Sequence, residues 1–141
     1  MSEDVRDIGA AIFAMGKATV VVVGCTLTST GGFPLWLKHS AAAEVRDTTL
    51  SGGRTGAACF NAARINLTDC LLCDVSIHGI CLRGTAVARL VRCRLHRCLQ
   101  KAIYFYDQAS VTHDGLLQIT DCPLGVVDGR ETATATDGHG V

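Results

Sequence analysis

The stretch "CDVSIHGICLRGTAVARLVRCRLHRCLQKAIYFYDQA" (residues 73–109) returns to one order of side chains at one spacing. Ile80 recurs as Ile103, Leu82 as Phe105, Gly84 as Asp107 and Ala86 as Ala109, each 23 residues on. Outward from this stretch, Cys93 anchors the series Cys25, Thr48, Cys70, Cys93 and Cys122. Two positions later the chain reads Leu27, Leu50, Leu72, Leu95 and Leu124, with a last step longer by six residues, placed near "VTHDGL". Ahead of the anchor lie Val22, Val45, Leu67, Leu90 and Ile119, then Val20, Ala43, Ile65 and Ala88, then Ala18, Ala41, Ala63 and Ala86. An earlier pair reads Ile12/Ala14, Leu35/Leu37, Ala58/Phe60, Ile80/Leu82 and Ile103/Phe105. Self-similarity of this kind marks a solenoid, in which each repeat buries its apolar face against its neighbours.

Within a repeat the apolar positions fall two apart, the period of strands and not of helices. The breaks between strands carry turn residues. One corner reads Gly16, His39, Asn61, Gly84 and Asp107, and another Gly24, Asp47, Asp69, Arg92 and Asp121. Glycine, asparagine, aspartate and histidine are the types that best tolerate positive φ. Three short strands per repeat, joined at fixed corners, describe an all-β, right-handed parallel β-helix of about five or six coils of 22–23 residues. Coils stacked about 4.8 Å apart bring equivalent side chains into columns. Thr48 in the cysteine column indicates a slot that requires a small side chain more than a thiol. The leucine-rich-repeat core L-x-L-x-x-C-x-L also fits "LVRCRL", but its preceding large apolar slot is filled by Lys17, Ser40, Ala62 and Thr85.

The 141 residues are expected to form one domain, with residues 1–9 as a possible N-terminal cap and 128–141 as a thin last coil or tail. Formal net charge is zero and charged residues make up 18%, so no global field draws nucleic acid or an anionic membrane. The run "ATVVVVG" is far short of the roughly 20 residues that span a bilayer. No secretory leader pattern opens the chain. Eight cysteines could form a disulfide framework, but their repeat positions match buried fillers. The expected location is therefore intracellular, in the cytoplasm or nucleus of a producing or host cell, or in a virion.

Through ladders such as "AVARLVRCRLHRC", residues 10–127 resemble the right-handed parallel β-helix superfamily. Its members include pectate-lyase-like enzymes, phage tailspikes, the β-helical part of F-box substrate receptors, and the large early oncoprotein of adenoviruses with its capsid relatives. The cysteine-filled coils are closest in character to the viral and intracellular, non-enzymatic members. The resemblance implies the fold; it leaves function open, because this superfold hosts unrelated activities.

Four constellations could carry chemistry. If Ile12, Leu35, Phe60, Leu82 and Phe105 face inward, then Phe13, Trp36, Cys59, Cys81 and Tyr104 face outward, flanked by Met15, Lys38, Arg83 and Tyr106. Four of the chain's seven aromatic residues lie on this face, and aromatic residues with arginine are the usual anchors of protein interfaces. Phe13, Trp36, Cys59, Cys81, Arg83, Tyr104 and Tyr106 are therefore the expected partner-binding residues. Second, Cys70, Cys73, Cys93 and His96 have the spacing of a zinc set, yet the repeat sends Cys70 and Cys93 inward and Cys73 and His96 elsewhere, so no metal is expected. Third, the corner Asp47, Asp69, Arg92 and Asp121 has the residue types of polysaccharide cleavage, with Asp47 and Asp69 roughly 5 Å apart, as in a retaining pair. Fourth, Arg83, Arg89, Arg92, Arg94, Arg97 and Lys101 form a basic run with no acid between 79 and 101.

The expectation is a non-catalytic structural or protein-interaction module without a cofactor. Its partner is expected to be itself, by analogy with viral trimers, or another protein, and not a membrane or nucleic acid. The alternative is a carbohydrate-active lyase or hydrolase using the Asp/Arg corner. His39 is expected to serve a turn, and His78, His113 and His139 have no evident role.

Overall fold

A computed structural model describes residues 10–114 and 116–123, together with the backbone of 127–129 and 134–137. Three parallel sheets form the walls of a stack. Sheet A layers Ala10–Ala14, Phe33–Leu37, Ala57–Cys59, Ile80–Leu82, Ile103–Phe105 and Val127–Gly129. Sheet B layers Thr19–Val23, Ala42–Arg46, Arg64–Thr68, Val87–Val91, Ser110–His113 and Thr134–Asp137. Sheet C layers Thr26–Thr28, Thr49–Ser51, Leu71–Val75, Arg94–Cys98 and Gln118–Thr120. Successive strands of the chain visit A, B and C in turn, so each circuit is one coil. Five coils are complete among the described residues, with two strands of a sixth. Residues 1–9 and His139 lie outside the described residues, as does the stretch from 128 to 141 except for the two strands named.

The vertical neighbours are those the repeat demands. Ile80 pairs with Ile103 and Leu82 with Phe105, Ala88 with Ile65 and Leu90 with Leu67, and Leu95 with Leu72. The inward columns are closed to solvent: Leu35, Leu37, Leu50, Leu67, Leu72, Leu82, Leu90 and Leu95 are fully buried. In sheet B the column Ala43, Ile65, Ala88 and Val111 alternates small and large, so stacked side chains interdigitate.

The corners explain their own composition. His39, Asn61 and Asp107 have φ of 59°, 63° and 58°, and Gly16 and Gly84 have 68° and 69°. Each polar corner side chain can also reach a neighbouring coil. The Gly16 amide donates to His39 Nδ1 at 3.2 Å, the His39 amide to Asn61 Oδ1 at 3.1 Å, and the Gly84 amide to Asp107 Oδ2 at 3.2 Å. His39 thus serves the turn, as expected. The cysteine column is a ladder of donors. Thr48 Oγ1 donates to the Arg46 carbonyl at 2.8 Å, Cys70 Sγ to Thr68 at 3.3 Å and Cys93 Sγ to Val91 at 3.4 Å. The slot takes a small side chain with a donor, which threonine and cysteine share and alanine lacks.

Two register expectations are corrected. In the third coil, Leu35 and Leu37 lie beside Ala57 and Cys59, not Ala58 and Phe60. The step from coil 2 to coil 3 is 22 residues, as the corner pair His39 and Asn61 already requires. One residue of slip exchanges the two faces of a strand, so Cys59 is fully buried in the core and Phe60 faces out. In the fifth coil, Ile119 lies under Leu95, and His113 continues the column of Leu90. The extra length near "VTHDGL" is therefore one residue and not six. Proline explains the difference. Aligning Cys122 with Cys93 would put Pro123 where Arg94 donates its amide to the Cys70 carbonyl at 2.9 Å, a bond proline cannot make. Leu124 lies outside the described residues. Asp121, with φ of 55°, moves to a third left-handed corner beside Asp74 (57°) and Arg97 (53°).

Candidate interaction face on sheet A

The outer surface of sheet A is built from one central column and one flank. Register places Phe13, Trp36, Ala58, Cys81 and Tyr104 at the same strand position in coils 1 to 5. Two residues further along each strand lie Met15, Lys38, Phe60, Arg83 and Tyr106. Six of the chain's seven aromatic residues form ring contacts on this side, against the four expected from sequence. Phe60 was missed through the register slip; counting back from the left-handed corner at Asn61 would have found it. Phe33 and His78 were missed because they precede their strands' central positions.

The rings form two clusters. Trp36 meets Phe13 at 4.6 Å, Phe33 at 5.1 Å and Phe60 at 6.2 Å between centroids. Tyr104 stacks on His78 at 4.5 Å and tilts against Tyr106 at 5.5 Å. Arg83 bridges the clusters, with its guanidinium carbon 4.9 Å from the Phe60 centroid and 5.7 Å from that of Tyr106. Lys38 Nζ sits 5.8 Å from the Trp36 ring. Such cation–π contacts hold each cation without consuming its hydrogen-bond donors. Trp36, Lys38, Phe60, Asn61, Arg83, Gly84 and Asp107 line a hollow of about 460 Å³ beside the column.

Phe13 is 48% exposed, while Trp36, Tyr104 and Tyr106 are half-buried. The Trp36 indole Nε1 is shielded and has no acceptor. Cys81 also faces out, and burial pushes its thiol up to about 11, which disfavours the thiolate. Burial, with Cys81 adding, likewise raises the thiol of Cys59 in the core behind it. Cys59 therefore leaves the expected partner-binding set and Phe60 joins it.

The other constellations separate in space. Cys73 pairs with His96 on the outer surface of sheet C, while Cys70 and Cys93 point into the core. The four residues of the zinc pattern therefore do not converge. Among the described residues no three His, Cys, Asp or Glu side chains are grouped to hold a metal ion. Asp47, Asp69 and Arg92 share a hollow of about 390 Å³ at the corner between sheets B and C, from which Asp121 is absent. There Arg92 donates from Nε and Nη2 to both oxygens of Asp69 at 2.7 and 2.9 Å. These hydrogen bonds hold the Asp69 carboxyl below its ordinary value, which favours an ionised partner over a proton donor. The basic run encircles the stack at the height of coil 4. Arg89 lies on sheet B, Arg94 on sheet C, Arg92 is paired with Asp69, and Arg97 with Asp74 at 2.6 Å. A belt of this kind presents no single basic face.

No helix among the described residues is long and apolar enough to cross a membrane. No curated protein and no solved structure matches the chain. Parallel strands recurring every 22 to 24 residues, with three sheets around one core, are accounted for by a family whose description is "Right handed beta helix region" and which matches residues 4–136. The chain belongs to the right-handed β-helix family.

Proposed function

We propose that this β-helix is a non-catalytic protein-interaction module that binds its partner through the outer face of sheet A and associates with itself. One observation carries the reading: nearly all the aromatic surface of the molecule is gathered on one wall, around two cations held by rings. Aromatic residues and arginine concentrate at the centres of protein interfaces, where large rigid side chains gain contact area at small entropic cost. The outer surfaces of the other walls are of a different kind. Sheet B presents Val21, Glu44, Asn66, Arg89 and Thr112 in one row, and sheet C presents Thr26, Thr49, Leu71, Arg94 and Gln118, rows that hold aliphatic and polar side chains but no aromatic ring. The eight free thiols, five of them buried, suit a reducing compartment.

The test is solution mass by light scattering on the intact chain and on Trp36→Asp. A buried charge at the centre of the face is expected to shift the assembly to lower mass with an unchanged far-ultraviolet circular dichroism spectrum. An associated protein whose mass is indifferent to Trp36→Asp would refute the face as its interface.

A further inference from the structure

We propose that the partner of the sheet A face is a second copy of the chain, packed antiparallel about a two-fold axis that runs along the strand direction between coils 3 and 4. The proposal rests on the interaction reading above and adds the partner and its register. It follows from the order of charges and rings down the flank. From coil 1 to coil 5 that flank reads Met15, Lys38, Phe60, Arg83 and Tyr106, with Asp107 next to Tyr106 at the corner. Among the described residues neither Lys38 nor Arg83 makes an ion pair. Asp107 keeps a carboxylate at the same rim, where Oδ2 accepts the Gly84 amide.

An axis along the strands preserves position along each strand and reverses the order of coils. Coil 2 then faces coil 5 of the second copy, and coil 3 faces coil 4. Lys38 meets the second copy's Tyr106 and Asp107, and Arg83 meets its Phe60. In the central column Trp36 meets Tyr104, and Ala58 meets Cys81. Every contact occurs twice, as a two-fold interface requires. Each cation gains a carboxylate or a ring, and Trp36 and Tyr104 each gain a ring. At the axis the contact falls to Cys81 and the rings around it, because Ala58 is already covered by its own chain.

Neighbouring registers fail on charge. Sliding one copy by a single coil sets Lys38 against Arg83, or Arg83 against itself. A two-fold axis along the stack sets each coil against its own copy, so Lys38 faces Pro34 and Arg83 faces Gly79. Neither cation then meets a carboxylate. Like charges across an interface oppose association and opposite charges set its register.

Charge exchange between chains tests the register. Lys38→Asp and Asp107→Lys each place like charges in both symmetry-related contacts, and each is expected to weaken dimerisation about tenfold or more. Mixed in equal amounts, the two variants have opposite charges in both contacts, and a heterodimer of wild-type strength is expected by analytical ultracentrifugation. Should Asp107→Lys disturb the corner, Tyr106→Lys lies directly opposite Lys38 and serves as its complement. If Trp36→Asp dissociates the wild-type assembly but the mixture stays dissociated, the antiparallel register is wrong and the interaction face stands. A trimer by mass overturns the register in the same way. If the wild-type chain is monomeric at every attainable concentration, self-recognition is wrong, and any partner of the face is another protein.

Discussion

Single residues do most at the corners. Arg92 and Arg97 hold φ of 51° and 53°, a conformation side chains other than glycine, asparagine and aspartate seldom adopt. Both are tied to the coil above, Arg92 to Asp69 by two hydrogen bonds and Arg97 to Asp74. The Asp69 carboxyl is held below its ordinary value by hydrogen bonding from Arg92. Its folded value therefore lies below its unfolded one. The stabilisation is present above the ordinary carboxylate range and is lost as pH falls through the folded value. Asp69→Asn keeps a residue that tolerates the left-handed corner and removes this dependence. Thermal melts from neutral pH into acid should show wild type and variant converging at the acid end; a constant gap between them would assign the effect to packing. The corner types Gly16, His39, Asn61 and Asp107 were legible in the sequence because positive φ restricts composition. Arg97 was not, since arginine carries no such signature and is held there by a partner on another coil.

At the scale of strands and corners, stacking sets tolerances tighter than any strand propensity. Gly79 leads from sheet C into sheet A. A Cβ there would come within 2.6 Å of the Ala102 carbonyl oxygen, 2.6 Å of Leu95 Cδ2 and 2.9 Å of Cys98 Sγ. Gly79→Ala is expected to cost about 1–3 kcal/mol by overpacking, read as a lower denaturant midpoint with an unchanged slope. A neutral result would mean that the corner relaxes as a unit. The same closeness explains why the letters of the repeat mislead in the fifth coil. "ITDC" at 119–122 matches "LTDC" at 67–70 letter for letter in its last three residues. It lies one strand further round the coil nevertheless, because Pro123 cannot supply the amide that Leu71 gives to the Thr48 carbonyl at 3.0 Å. Apolar letters alone do not distinguish one inward slot from the next; the backbone hydrogen bonds between coils do.

Across the whole molecule, one core runs through all five coils without a break. A lesion in one coil should therefore be felt in every other, as nearest-neighbour coupling over so short a stack implies. Leu95→Ala in coil 4 removes a fully buried side chain and is expected to cost about 2–5 kcal/mol. Trp36, the only tryptophan, reports from coil 2. Its fluorescence should shift midpoint together with circular dichroism; separate transitions would show the coils unfolding independently.

The spacing of small and apolar residues determined by itself that the chain is a stack of parallel coils, since only vertical neighbours can demand the same side chain every 22 or 23 residues. It also determined that Trp36, Tyr104, Tyr106 and Arg83 share one wall. The tertiary structure decided which residues complete that wall. Cys59 went to the core and Phe60 to the surface because a strand has two faces one residue apart, and the hydrogen-bonded register between coils chooses between them.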